Sequence, residues 1–583
     1  MQTTWDLSVF YDGFDDPSFT SDLAALPLRI AALTKAIGED APDDAEKLRG
    51  LIAQMEDICA RFERLSMMTQ MTLACDAAHP AANAAMTPLM RAGMAYEQAK
   101  SAFARYLAAV DDLDALIEGD AVLAANGFAL RETAESARHL LDPALEGPVL
   151  RMQLSGGEAF SQLRDKLDAT LLVDYRGEQL PLSAVRALAY DADAAVRRDA
   201  YEAELAAYAK IELPMAACLN SIKAEGQTIA ELKGYEDVLT MTLSESRMDA
   251  KTLEAMWTAI RGALPELRAY LRAKGRLLGH ENGLPFYDLF APIGSSTRTY
   301  TIEEARDLLL SVFGEFCPEM GGMMAQAFDE RWIDVYPRSG KTGGAFCEGS
   351  YALNISRILT NFAGSLSDVS TLAHELGHAF NNRMLRRVPR LMTETPMPLA
   401  ETASTFNETL LSAVLRGRAA REEELMLLDA SLSENLQTLV DIYSRFLFEQ
   451  KVVEAQADHP LSAPELKETM LWAQEQTYGD GLDPALRHPY MWACKSHYYS
   501  TGAHFYNFPY AFGCLFARGL YARYEKEGAS FVPVYCDLLS RFGSGTIEDV
   551  AASVGIDVRS ADFWQGAVES IVQEARRFVE LSK

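Results

Sequence analysis

At 583 residues the chain is far longer than one small core requires, so two or more lobes are expected. Hydrophobic residues make up 49% and charged residues 23%, ordinary for a globular protein, while a formal net charge of -29 opposes phosphate backbones and excludes nucleic acid as an expected partner. The opening MQTTWDLSVFYDG has no basic and apolar leader pattern, and no apolar run approaches the roughly 18 residues of a membrane span. Eight scattered cysteines without a C-x-x-C pair complete an expectation of a cytoplasmic protein with no membrane partner.

In chain order, segments 43–66, 85–110 and 184–210 are rich in Ala, Leu, Glu and Arg with apolar residues at helical spacing, which predicts helices. Residues 170–182 (TLLVDYRGEQLPL) read as a hairpin, and 332–355 as a second β-prone stretch around a Gly-rich turn. Helical patterning dominates and strand signals are few, so the expected fold is mainly α with a small β element. The expected division is an N-terminal helical region over 1–110, a helical segment with a hairpin over 111–210 that is part of the N-terminal lobe, and a further domain over 211–583.

Ser365 and Asp368 have capping-box spacing, so a helix is predicted to start near 365–367. Val369, Leu372, Ala373, Leu376 and Phe380 then form its apolar stripe. His374 and His378, four apart, share a face next to that stripe, and Glu375 follows the first of them. This is H-E-x-x-H, in which the imidazoles bind zinc and the glutamate serves as general base. A metzincin would place Gly at 381 and His at 384; Asn381 and Met384 stand there, which excludes that class. A carboxylate is the natural third ligand. Glu401, in a helix predicted over 398–415, is the stronger choice and Glu394, in the Pro-flanked loop, the competitor. Glu408, seven residues on, either orients a ligand or is a solvated helix carboxylate. The stretch HYYSTGAHFYNFPYAFG at 497–513 supplies imidazole and phenol donors for an oxyanion.

HELGH at 374–378 followed by AETASTFNE at 400–408 resembles the thimet oligopeptidase and oligoendopeptidase F family of zinc peptidases. WDLSVFY at 5–11, YDLFAP at 287–292, GGAFC at 343–347 and the 497–513 stretch are similar to further pieces of that family, and the WDL piece points to its oligoendopeptidase F branch. The resemblance implies one zinc ion on His374, His378 and Glu401, with Glu375 as base. It implies His497, Tyr510 and Tyr506 near the substrate carbonyl, with His504 competing for the place of His497. It also implies that Gly343, Gly344, Ala345 and Phe346 lie along the substrate backbone, in a mode of β-addition. The implied fold is two helical lobes flanking a deep central substrate channel, with the small β element beside the active-site helix and 211–583 as the zinc peptidase catalytic domain. The implied activity is endopeptidase cleavage of short unstructured peptides. Two alternatives stand beside it: a carboxypeptidase-type exopeptidase and a non-catalytic peptide-binding protein. Oligomeric state is not readable.

Overall fold

The computed structural model describes residues 2–294, 299–417 and 420–583. Its N-terminal part packs three long helices on one another: α1 (Pro17–Gly38), α2 (Asp44–Cys75) and α3 (Pro80–Ala108). Each begins where a side chain satisfies a free backbone donor, Asp16, Asp43 and His79 accepting from the N–H groups of Ser18, Glu46 and Ala82. Their apolar stripes meet around fully buried Leu26, Leu48, Leu65 and Ala99. This core extends to Leu130, so it draws on the segment after 110 as well as on 1–110.

The predicted hairpin forms as β1 (Leu172–Tyr175) against β2 (Glu178–Pro181). Its two-residue turn, Arg176 at φ 53° and Gly177 at φ 86°, has the double positive φ that matches strand twist. Helix α4 (Ala194–Leu232) then runs straight through Pro214. The border expected at 210/211 therefore falls inside one helix. A second apolar cluster joins residues 171–222 to residues 448–499, so the chain returns late to complete an early lobe.

The third and largest cluster holds the remainder, including α5 (Ala250–Leu277). Within it lies a three-stranded sheet of β3 (Ile333–Asp334), β4 (Phe346–Ser350) and β5 (Ile355–Leu359). β5 is central, parallel to β3 and antiparallel to β4, which leaves β4 as an edge. The N-terminal segment is tied behind this sheet. Val335 N–H donates to Thr3 O at 2.9 Å, Arg357 Nε donates to Asp6 O at 2.8 Å, and Trp5 packs among Met71, Leu359 and Phe346. Beside β4 runs α6 (Leu366–Leu385), followed by α7 (Thr402–Arg416) and α8 (Arg421–Leu436). A π-helical stretch, Gln437–Asp441, leads into α9 (Ile442–Ala455); α10 (Phe508–Glu527) and α11 (Ala561–Leu581) close the core. Among the described residues no helix is long and apolar enough to cross a membrane.

Candidate active site

Helix α6 begins at a reciprocal cap: Ser365 Oγ accepts from Asp368 N–H at 3.1 Å, and Asp368 Oδ2 accepts from Ser365 N–H at 2.9 Å. With its phase set, Val369, Leu372, Ala373, Leu376 and Phe380 are fully buried. His374 and His378 project from the adjoining face into an open cavity of about 460 Å³, lined also by Ala345, Phe346, Glu348 and Glu375.

The helix expected over 398–415 is broken where it matters. Met397–Ala400 makes one turn, Glu401 leaves helical geometry at φ -89° and ψ 3°, and α7 starts at Thr402. Helices α6 and α7 approach closely at Gly377, where a Cβ would stand 2.6 Å from Ala403 O and 2.7 Å from Ser404 Cα. Any larger residue there pushes α7, and Glu401 with it, away from the histidines. Asn407 Nδ2 reinforces the contact by donating to Ala373 O at 2.9 Å.

The two imidazole Nε2 atoms stand 3.2 Å apart. Glu401 Oε2 is 3.3 Å from the first and 3.4 Å from the second. Tetrahedral arms of about 2.0–2.2 Å from a single ion give donor–donor edges of about 3.3–3.5 Å. The donor set, two imidazoles and one carboxylate, therefore fits a zinc ion in both chemistry and spacing. Glu408 Oε1 accepts from His374 Nδ1–H at 3.1 Å, which leaves the Nε2 lone pair facing the ion position. Ser404 Oγ donates to Glu401 Oε2 at 2.9 Å and holds that carboxylate in turn. Burial disfavours charge on His374, but the hydrogen bonds to Glu401 and Glu408 outweigh it and hold its pKa up at about 11. Glu401 is desolvated too, yet both histidines hold its carboxyl well below the usual range. The electrostatic demand of the cluster is for positive charge. Glu394 lies apart from it, its carbonyl accepting from Arg247 Nη1 at 2.7 Å.

Glu375 lines the same cavity at 5% exposure. Burial raises its pKa, against the pull of His374 and His378. Of the residues expected along the substrate backbone, Ala345 and Phe346 line the cavity, with the Phe346 ring leaning on Trp5 at 6.3 Å. Gly343 and Gly344 precede the strand. Gly344 turns the chain at φ 80°, outside regular strand geometry, so the edge strand runs over Phe346–Ser350 and residues 343–345 lead into it.

On the far side, His497, Tyr506 and Tyr510 gather with ring centroids 5.1 to 6.1 Å apart. Helix α10 brings Tyr510 towards the His374–His378–Glu401 cluster by close packing, since a Cβ on Gly513 would lie 3.0 Å from Glu401 Cβ. Burial and the neighbouring Tyr506 push the Tyr510 hydroxyl pKa up, so it stays a proton donor. His497 Nδ1–H donates to Asn507 Oδ1 at 3.0 Å, and that oxygen also accepts from Arg445 Nη1 at 3.3 Å. Because Arg445 can only donate, it fixes the amide orientation and with it the His497 tautomer. Burial lowers the His497 pKa, so the neutral ring presents Nε2 as an acceptor.

His504 belongs elsewhere. It is buried against Gly226, where a Cβ would meet its Nε2 at 2.2 Å, and its Nδ1 is 3.4 Å from Lys223 Nζ. Lys223 Nζ donates to Glu449 Oε1 at 2.6 Å, both side chains 1% exposed. The same oxygen accepts from the Phe505 N–H at 3.0 Å, where Phe505 sits at φ 51°. A bulky residue in that region is strained, and here a buried ion pair from α4 and α9 restrains the backbone immediately before Tyr506. No local pattern marks Arg445, Lys223 or Glu449, and Asn507 is hidden among the aromatics. The remaining histidines make structural contacts: His79 caps α3, His139 stacks on Tyr235, and His280, His459 and His488 lie against Asp288, Glu465 and Glu204.

The profile of Peptidase family M3 matches residues 187–570. An oligoendopeptidase F homolog from Lactococcus lactis subsp. lactis (strain IL1403) is 28% identical over 64% of this chain. The match spans 62% of that relative, a little under two thirds of its length. Oligopeptidase PepF from Bacillus subtilis (strain 168) is 25% identical, with 100% of this chain and 87% of the relative covered. Among solved structures, that of a peptidase candidate from Chlamydophila abortus superposes with a TM-score of 0.84 at 21% identity, covering 99% of this chain and 98% of that one, a likeness of fold. The chain belongs to Peptidase family M3, with relatives of the oligoendopeptidase F type.

Proposed function

We propose that the protein is a zinc-dependent oligopeptidase that hydrolyses internal bonds of short unstructured peptides. The observation that carries this reading is the set of three mutual distances, 3.2, 3.3 and 3.4 Å, among the donor atoms of His374, His378 and Glu401. A zinc ion held by these residues supplies Lewis acidity to a water and to the scissile carbonyl. Glu375, buried beside them, accepts the proton of the attacking water and passes it to the leaving amine. Tyr510 and Tyr506 donate to the developing oxyanion. His497, held by Asn507, keeps an acceptor at Nε2 and donates there only when protonated. The free edge of β4 takes the substrate backbone by strand addition, with Gly343, Gly344 and Ala345 at its entry and Phe346 as its first residue. All eight cysteines are free thiols, and a reducing, cytoplasmic setting is part of the same reading.

The test is a quenched fluorescent peptide assay on the purified protein, with chelator, zinc add-back and product masses read together. Turnover lost to chelator and restored by zinc, with internal fragments as products, is expected. Turnover indifferent to chelator would sink the metal; single amino acids released from the C-terminus would move the activity to a carboxypeptidase.

A further inference from the structure

The cavity over the metal ligands is not the only enclosed space with chemistry in it. A second one, of about 150 Å³, opens between α4, the 286–290 turn and the 488–495 stretch. We propose that it binds the C-terminal residue of a peptide, an aromatic side chain filling the cavity and the free carboxylate resting on the Lys495 ammonium. This rests on the peptidase reading and names the substrate class that such an enzyme would favour.

Three observations lead there. The first is size and lining. Tyr190, Tyr201, Phe286, Phe290 and Met491 supply an apolar wall, and an apolar cavity of about 150 Å³ accepts a benzene-sized ring.

The second is the state of the cations. Three lining residues carry fixed positive charge, and two are already neutralised. Arg197 Nε donates to Asp288 Oδ1 at 2.7 Å, and Arg186 Nε stands 3.3 Å from Glu204 Oε1. Glu204 has His488 Nε2 as a further neighbour at 3.6 Å, so it is not left over for Lys495. Lys495 Nζ makes no hydrogen bond or ion pair among the described residues; the acid whose charge acts on it most, Asp441, is itself paired with Arg445, and burial pushes the Lys495 pKa down. A half-buried ammonium that no carboxylate contacts is costly to keep charged, and an arriving carboxylate relieves that cost directly. In a chain of net charge -29 such a cation is the exception.

The third is position. Lys495 lies two residues before His497, and its charge is among those that depress the His497 pKa. The cavity therefore adjoins the catalytic cluster, and a chain end held there sets the direction in which the peptide lies across it.

The experiment uses two ten-residue peptides of one sequence ending in phenylalanine, one a free acid and the other a C-terminal amide. Cleavage is followed by product masses on the wild-type protein, Lys495→Met and Lys495→Arg, and binding by anisotropy on Glu375→Gln. The expected result is a preference for the acid of about tenfold, or about 1.4 kcal/mol, in both kcat/KM and Kd. Lys495→Met should bring it within about twofold, and Lys495→Arg should keep most of it. Equal handling of acid and amide by the wild type, or a preference that survives Lys495→Met, overturns the proposal. Preferential binding of the acid with neither peptide cut would leave the site standing and sink the peptidase reading. No cleavage with no binding preference would sink both.

Discussion

The 365–416 stretch carries its imidazoles, Glu375 and Glu408 on two regular helices, capped at Ser365 and brought together at Gly377, with Glu401 at the junction just before the second. The 497–510 stretch holds His497 and Tyr506 outside any α-helix and delivers Tyr510 in the first turn of α10. Its backbone passes through a left-handed phenylalanine, and side chains from α4 and α9 tie it down. In the first region local rules do most of the positioning, because helix periodicity places His374 and His378 once the cap sets the phase. In the second, nothing local favours the conformation. It persists because a buried ion pair gives the Phe505 N–H an acceptor and Gly226 leaves room for the His504 ring. A regular element can be trusted to orient ligands; an irregular one has to be held by partners far away in the chain.

That contrast can be broken or sharpened by substitution. The largest effect is expected from Glu375→Gln, which leaves the scaffold of both regions in place. Turnover should fall by about two or more orders of magnitude with metal content unchanged. Near-normal cleavage with a full complement of zinc would remove Glu375 from the chemistry.

Lys223→Met strikes the second region alone. Removing one partner strands the Glu449 carboxylate in the core, and such a break costs about 3–5 kcal/mol. Urea unfolding should show that loss, and kcat should drop while zinc affinity holds. Paired removal with Lys223→Met and Glu449→Leu should recover much of the stability but not kcat, since Phe505 N–H stays without an acceptor. Full recovery of both would deny the clamp any role in placing Tyr506.

Gly377→Ala is the counterpart in the first region. Its methyl group would meet the α7 backbone at 2.6 Å, and overpacking of this kind costs about 1–3 kcal/mol. Here zinc affinity should weaken along with stability, as measured by competition with a chelator and by thermal melting. A variant as tight for zinc as the wild type would show that the helix approach is not what places Glu401.

The smallest effect is a matter of pH. Burial and the Lys223 charge lower the His504 pKa from 6.5 to about 3. As pH falls below about 6.5 the unfolded chain takes the proton while the folded protein refuses it, so stability declines towards about pH 3. Between pH 7 and pH 5 this group should cost about 1–2 kcal/mol. His504→Gln should flatten that part of the urea midpoint profile; an unchanged profile would mean that His504 is protonated in the folded protein.

The amino-acid sequence by itself determined the helical character, the hairpin at 170–182, the cap at Ser365 and the three residues that gather as a candidate metal site. All of these rest on interactions within a few residues, or on one periodicity sustained over a helix. Packing and helix length along the chain were less legible. The core formed by α1 to α3 runs on to Leu130, and α4 passes through Pro214 because a single proline can sit in a long helix whose other contacts hold. Tertiary structure alone decided the break at Glu401, the choice of His497 over His504 beside the tyrosines, and the tautomer that Asn507 and Arg445 impose. Each depends on groups tens or hundreds of residues apart, such as Lys223 and Glu449, meeting in a core where water is excluded and an unpaired polar atom is costly.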